Sequence, residues 1–136
     1  MQNNTLVSLM ILLFFVLLSS CGTRKKSFAN DLIGWWTISE YSYFDSIDFT
    51  TPVLLVQTED SCSVPLVRGK PLESDDASWQ VIQVEPPKIQ ILCEDTIFSG
   101  IWEVRNITRS AVPQHAHLIM SFELYQPTKS FFFFRR

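Results

Sequence analysis

The chain has 136 residues, of which 46% are hydrophobic, 13% aromatic and 18% charged, which is material for one packed domain and excludes two. Eleven Lys and Arg against 14 Asp and Glu leave a net charge of −3, so nucleic acid is excluded as a partner held by charge. The high apolar fraction at modest charge also excludes a disordered chain.

The first element is Leu6 to Leu18 (LVSLMILLFFVLL), thirteen residues without a charge. A membrane-spanning helix needs about 20 apolar residues, whereas a secretory signal core needs only about 7 to 15. Residues 1–20 therefore read as a signal peptide. An uncleaved signal anchor and an ordinary buried helix are the other readings of the same block. Met1 to Thr5 carries no Lys or Arg, and the cations Arg24, Lys25 and Lys26 follow the apolar block, the reverse of the usual positive-inside bias.

Leu18, Ser19, Ser20 and Cys21 come next. This quartet resembles the lipobox of bacterial lipoproteins. The resemblance implies cleavage before Cys21, a diacylglycerol on its thiol and an acyl chain, palmitate in kind, on the new amine. Two or three chains hold a protein at a bilayer stably where one holds it only marginally. An Asp after the lipidated cysteine keeps many such proteins in the inner membrane. Gly22 stands there in this chain, so the resemblance implies the outer membrane, with the membrane as partner through the N-terminal lipid.

Residues 21–30 (CGTRKKSFAN) read as the lipidated cysteine and a basic tether, and residues 31–136 as the domain. Without Arg24, Lys25 and Lys26 the remaining balance is 8 basic against 14 acidic residues, a net of −6. The tether is attracted to anionic headgroups and the domain is repelled by them.

From Asp31 onward short apolar runs alternate with turn residues, an all-β signature. Eight runs are predicted as strands: 34–44, 52–57, 62–67, 78–84, 89–93, 97–107, 117–124 and 129–135. The links between them hold turn chemistry, as in Thr58-Glu59-Asp60-Ser61, Gly69-Lys70-Pro71 and Glu85-Pro86-Pro87-Lys88. Short links favour sequential antiparallel neighbours. A small antiparallel up-and-down barrel of about eight strands follows, with a two-sheet sandwich as the alternative. In the sixth run Phe98, Gly100, Trp102 and Val104 share the face assigned to the core, and in the seventh Leu118, Met120, Phe122 and Leu124 do.

Asp31 to Ile38 (DLIGWWTI) is similar to the opening of a lipocalin-like domain, in which a Gly-x-Trp begins the first strand. Gly34 and Trp36 fit that motif. The resemblance implies a barrel floor closed by Trp36 and covered by an Arg beyond the last strand, Arg135 or Arg136, as a cation over the ring. Small bacterial lipoproteins with this opening continue with a Cys-x-x-Pro segment, a mid-chain Trp strand and a Phe-x-Gly strand, matched here by Cys62 to Pro65, Trp79 and Phe98 to Gly100. The Thr-Asp-Tyr of ligand-carrying lipocalins does not occur.

Three cysteines divide into one plus two. With Cys21 acylated, Cys62 and Cys93 form an even pair that an oxidising compartment favours as a disulfide. Closing that loop is worth roughly 3 to 4 kcal/mol. Two unpaired thiols at strand ends are the other reading.

Motifs for catalysis are absent from the sequence: no Gly-x-Ser-x-Gly, no His-Glu-x-x-His, no phosphate-cradling glycine loop and no dinucleotide fingerprint. No cofactor or metal is called for, and the chain reads as a non-enzyme. His115 and His117 share one strand face by their spacing, a metal pair only if a third ligand approaches. Phe131 to Phe134 put two rings inward and two outward, the outward pair packing on the N-terminal segment, on a protein partner or on a membrane surface. The function expected is a lipid-anchored envelope protein with a binding or structural role. The alternative is a carrier of a small apolar ligand, which needs an interior cavity of about 300 Å³ or more.

Overall fold

The structure is a computed structural model and describes residues 2–69 and 74–135. Arg136 and the Lys70-Pro71 turn lie outside the described residues. One helix, α1 (Gln2–Leu32), precedes ten strands: β1 (Gly34–Ser42), β2 (Phe49–Thr51), β3 (Val53–Val56), β4 (Ser61–Ser63), β5 (Leu66–Val67), β6 (Asp76–Val84), β7 (Pro87–Leu92), β8 (Gly100–Arg109), β9 (Ile119–Gln126) and β10 (Lys129–Arg135). A 3-10 turn, Pro113–His115, joins β8 to β9.

Eight strands close into an antiparallel barrel in the order β1-β10-β9-β8-β7-β6-β4-β3. The all-β barrel expected from the alternation is the observed fold, and the sandwich is not. Closure is made by β1, which pairs along Trp36 to Ser42 with β10 and along Gly34 to Thr37 with β3. Each of the eight barrel strands is thereby paired on both sides, which removes from the barrel the template for edge-to-edge aggregation. The short pair β2-β5 stands outside the barrel. Pro65 explains it: the run 62–67 breaks there into β4 and β5, because proline cannot donate to a ladder.

The two ends of the barrel are set by this topology. At the floor β1 begins, β10 ends, β8 ends and β9 begins. At the mouth lie the β9–β10 turn, the 93–99 connection and the β2-β5 pair, with Phe49 of β2 against Phe98 and Phe131.

Bulges shift two of the expected faces. Ile119 is fully buried while Met120 is 39% exposed, and Leu118 lies ahead of β9. The cause is an irregularity in the β8–β9 pairing between Thr108↔Ser121 and Arg109↔Ile119, which inserts Met120 as an extra residue and flips the parity before it. Asn106, at φ 50° on the opposing strand, marks a second irregularity between Arg105 and Thr108. Ile97 and Phe98 precede β8 instead of opening it, and Phe98 enters the core from the turn.

The N-terminal segment also differs from the expected tether. Residues 22–30 continue α1, and its last turns place Phe28, Ala29 and Leu32 in the barrel core. Their spacing puts all three on one helical face. Gly22 is the segment's weakest helix former, at about 1 kcal/mol, and burial of that face outweighs it.

The C-terminal aromatic run divides as the period of two requires: Phe131 and Phe133 are fully buried and Phe134 is 40% exposed. Phe131→Ala should therefore cost about 3 to 5 kcal/mol of stability in urea unfolding, and Phe134→Ala on the outer face less than about 1 kcal/mol.

Candidate functional site: the two barrel ends and the anchor helix

Trp36 is fully buried at the floor. Its indole N–H donates to the carbonyl of Leu32 at 2.8 Å, so the last turn of α1 and the first turn of β1 are joined through the core. The ring meets Phe122 edge-on at 4.6 Å. Over it lies Arg135, whose guanidinium carbon is 4.4 Å from the ring centroid. Arg135 also donates to the carbonyls of Ile119 at 2.8 Å, Asp31 at 3.0 Å and Ile33 at 3.2 Å. One side chain thus ties α1, β1, β9 and β10. Burial lowers the Arg135 pKa from its ordinary value and the Asp31 carboxylate opposes that shift.

The adjacent glycine is required by this geometry. Gly34 has φ +143°, and a Cβ there would stand 2.6 Å from Arg135 Nη1. The three residues named from the sequence, Gly34, Trp36 and Arg135, are brought together in the arrangement the motif implies.

The mouth holds a second set of the same kind, which the sequence reading missed. Gly100 has φ +126°, and two residues on, Trp102 is fully buried with its indole N–H donating to the carbonyl of Phe98 at 2.7 Å. Lys129 Nζ lies 5.1 Å from the Trp102 centroid and donates to the carbonyls of Thr96 and Ile97. The signal was in the sequence: Gly-x-Trp occurs at 34–36 and again at 100–102. Both cations sit on β10, Lys129 at its first residue and Arg135 at its last.

Among the described residues the space between the two plugs is small. A void lined by Leu32, Val56, Cys62, Trp79, Ile91 and Phe122 offers about 10 Å³ to the centre of a water-sized sphere. That is room for about one water, in a site with no polar lining to hold it.

Cys62 and Cys93 stand as free thiols, the first buried and the second half-buried. The disulfide expected from parity is not formed in the structure, and the register gives the reason. Cys62 pairs with Ala77 on one side of β6, and Cys93 follows Leu92, the partner of Ser78, on the other. With strands about 4.8 Å apart, the two Cα atoms are separated by a whole strand, beyond the reach of about 7 Å for a bridge. Cys93 Sγ instead donates to the carbonyl of Asp95 at 3.2 Å. Burial, then the neighbouring Cys93, pushes the Cys62 thiol from 9.0 up to about 12.

His115 and His117 are exposed and do not share a strand face, since His115 ends the 3-10 turn and β9 starts only at Ile119. Among the described residues no group of three or more His, Cys, Asp and Glu could hold a metal ion.

Leu18, Ser19, Ser20 and Cys21 lie within α1, and Cys21 is exposed. Leu6 to Leu17 are all exposed, several by more than 60%, so this half of the helix has no protein surface to cover it. Leu6–Leu32 is also long and apolar enough, by length and composition, to cross a membrane. No protein-family model, curated protein or solved structure matches the chain.

Arg135→Ala removes a ring contact and leaves three carbonyls without their donor. It should destabilise the protein by about 2 to 3 kcal/mol in urea unfolding, with Arg135→Lys recovering less than half. The Cys62 thiol sets an alkaline limit. Its folded pKa lies above the unfolded one, so between pH 9 and about 12 the unfolded state gives up the proton first and stability falls as pH rises. Cys62→Ala should flatten that part of the stability curve relative to the parent chain.

Proposed function

We propose that the chain is a lipid-anchored lipoprotein of the bacterial cell envelope, sorted to the outer membrane, whose lipocalin-like barrel has a non-catalytic binding or structural role. The observation that carries this reading is the uncovered apolar block Leu6–Leu17 running into Leu18-Ser19-Ser20-Cys21, on a helix whose far end is built into the barrel floor. In this reading the block is the signal core that is removed and Cys21 becomes the first residue. The helix from Cys21 to Leu32 remains as the link between lipid and domain.

The filled interior supports a structural or surface-binding role over that of a carrier. About 10 Å³ is far below the roughly 300 Å³ that a small ligand needs. The Trp36–Arg135 and Trp102–Lys129 sets obstruct both ends. Recognition then falls to the outside, and the outer face of β10 with Phe132 and Phe134 is the surface we assign to a protein partner.

Intact mass of the membrane form should show cleavage before Cys21 and the added mass of a diacylglycerol with an acyl chain. Cys21→Ser should leave the chain unprocessed and unacylated. Mature protein that begins at Met1 with an unmodified thiol would overturn the reading.

A further inference from the structure

We infer that the turn between β6 and β7, Val84 to Pro87, rests on the headgroups of an anionic phospholipid bilayer beside Cys21, so that the barrel stands on the membrane in a fixed orientation, floor down. This rests on the lipid-anchor reading and adds to it a second, non-covalent contact.

Three observations lead there. First, the link from Cys21 to the barrel is not a swivel. Phe28, Ala29 and Leu32 are buried in the core and Leu32 O holds the Trp36 indole, so the helix axis is fixed relative to the barrel. Eleven residues at about 1.5 Å each place Cys21 about 16 Å along that axis from Leu32.

Second, the β6–β7 hairpin runs out alongside the helix. β6 ends and β7 begins at the floor end, and a groove between the elements has Cys21, Ser20 and Arg24 on one wall and Ile82, Val84 and Glu85 on the other. The hairpin turn thus reaches the level of the cysteine that carries the lipid. Where that sulfur is held at the bilayer surface, the turn is held there too.

Third, the chemistry at that level suits an anionic surface. Arg24 and Lys25 line the groove with Glu85, and Lys88 follows the turn, paired across the sheet with Glu103, while Glu59 lies on the neighbouring groove beside Lys25 and Lys26. The turn itself offers Val84, Pro86 and Pro87, short apolar groups without long charged stems. Lys26 is spent elsewhere, 3.9 Å from Glu59. Each cation near an anionic surface contributes about 1 kcal/mol, enough for a second foothold once the lipid supplies the first.

The test uses the full lipidated chain in vesicles of phosphatidylethanolamine and phosphatidylglycerol, some carrying bromine near the top of the acyl chains as a short-range quencher. Val84→Trp places a reporter at the turn and Phe44→Trp one near the mouth, each read as a difference from the parent chain. Pro86→Trp serves if Val84→Trp does not fold. Quenching of the turn reporter at least twofold greater than that of the mouth reporter is expected. Equal quenching in protein that floats with the vesicles overturns this inference and leaves the lipid anchor intact. Protein that does not float overturns both.

Discussion

An indole ring pressed under a cation at each end of β10 is the constraint on which the rest of this barrel depends. At the floor Arg135 covers Trp36, and at the mouth Lys129 lies over Trp102. A buried tryptophan is favourable for its large apolar surface and unfavourable for its N–H unless that group is paired. Both indoles solve this in the same way, by donating to the carbonyl four residues earlier. That bond needs the chain to turn sharply between carbonyl and ring, and a glycine at positive φ sits between them in each case, Gly34 and Gly100. At the floor glycine, indole and cation meet directly, since a Cβ at Gly34 would stand 2.6 Å from Arg135 Nη1, whereas at the mouth a Cβ at Gly100 would meet Gln126 Nε2 at 3.1 Å.

The consequence for function is a barrel without room. An eight-stranded barrel is wide enough either to hold one small ligand or to be filled by its own side chains. Here Trp36, Trp102, Phe98, Phe122, Phe131 and Phe133 are all buried in the interior. Rigidity is the return for that filling, because a close-packed core has few alternative arrangements. The helix is fixed to the floor of this body through Phe28, Ala29 and Leu32, so barrel and helix keep one mutual orientation.

The thiols illustrate how topology overrides arithmetic. Parity and compartment favour a Cys62–Cys93 bridge. The register puts Ala77 and its strand between them, and backbone spacing decides the matter before sulfur chemistry is reached. The raised pKa of Cys62 belongs to the same picture of a small side chain serving as core packing.

By itself the sequence determined the fold class, the strand count of the barrel and the inward and outward split of Phe131 to Phe134, and its motif pointed to a floor of Gly34, Trp36 and either Arg135 or Arg136. These depend on local periodicity and on a motif whose parts have one chemical reason to meet. Tertiary structure alone decided the register breaks that replace Met120 by Ile119 in the core, the free thiols, and the pairing of Lys129 with Trp102. It also decided that residues 22–30, read as a tether, are helical and continue α1. The polar letters Arg24, Lys25 and Lys26 read as solvated chain, and only the barrel floor supplies the apolar surface against which Phe28, Ala29 and Leu32 gain more by folding than they lose in entropy. A contact whose partner lies a hundred residues away leaves no periodic trace, and such contacts set the angle at which the barrel meets its N-terminal helix.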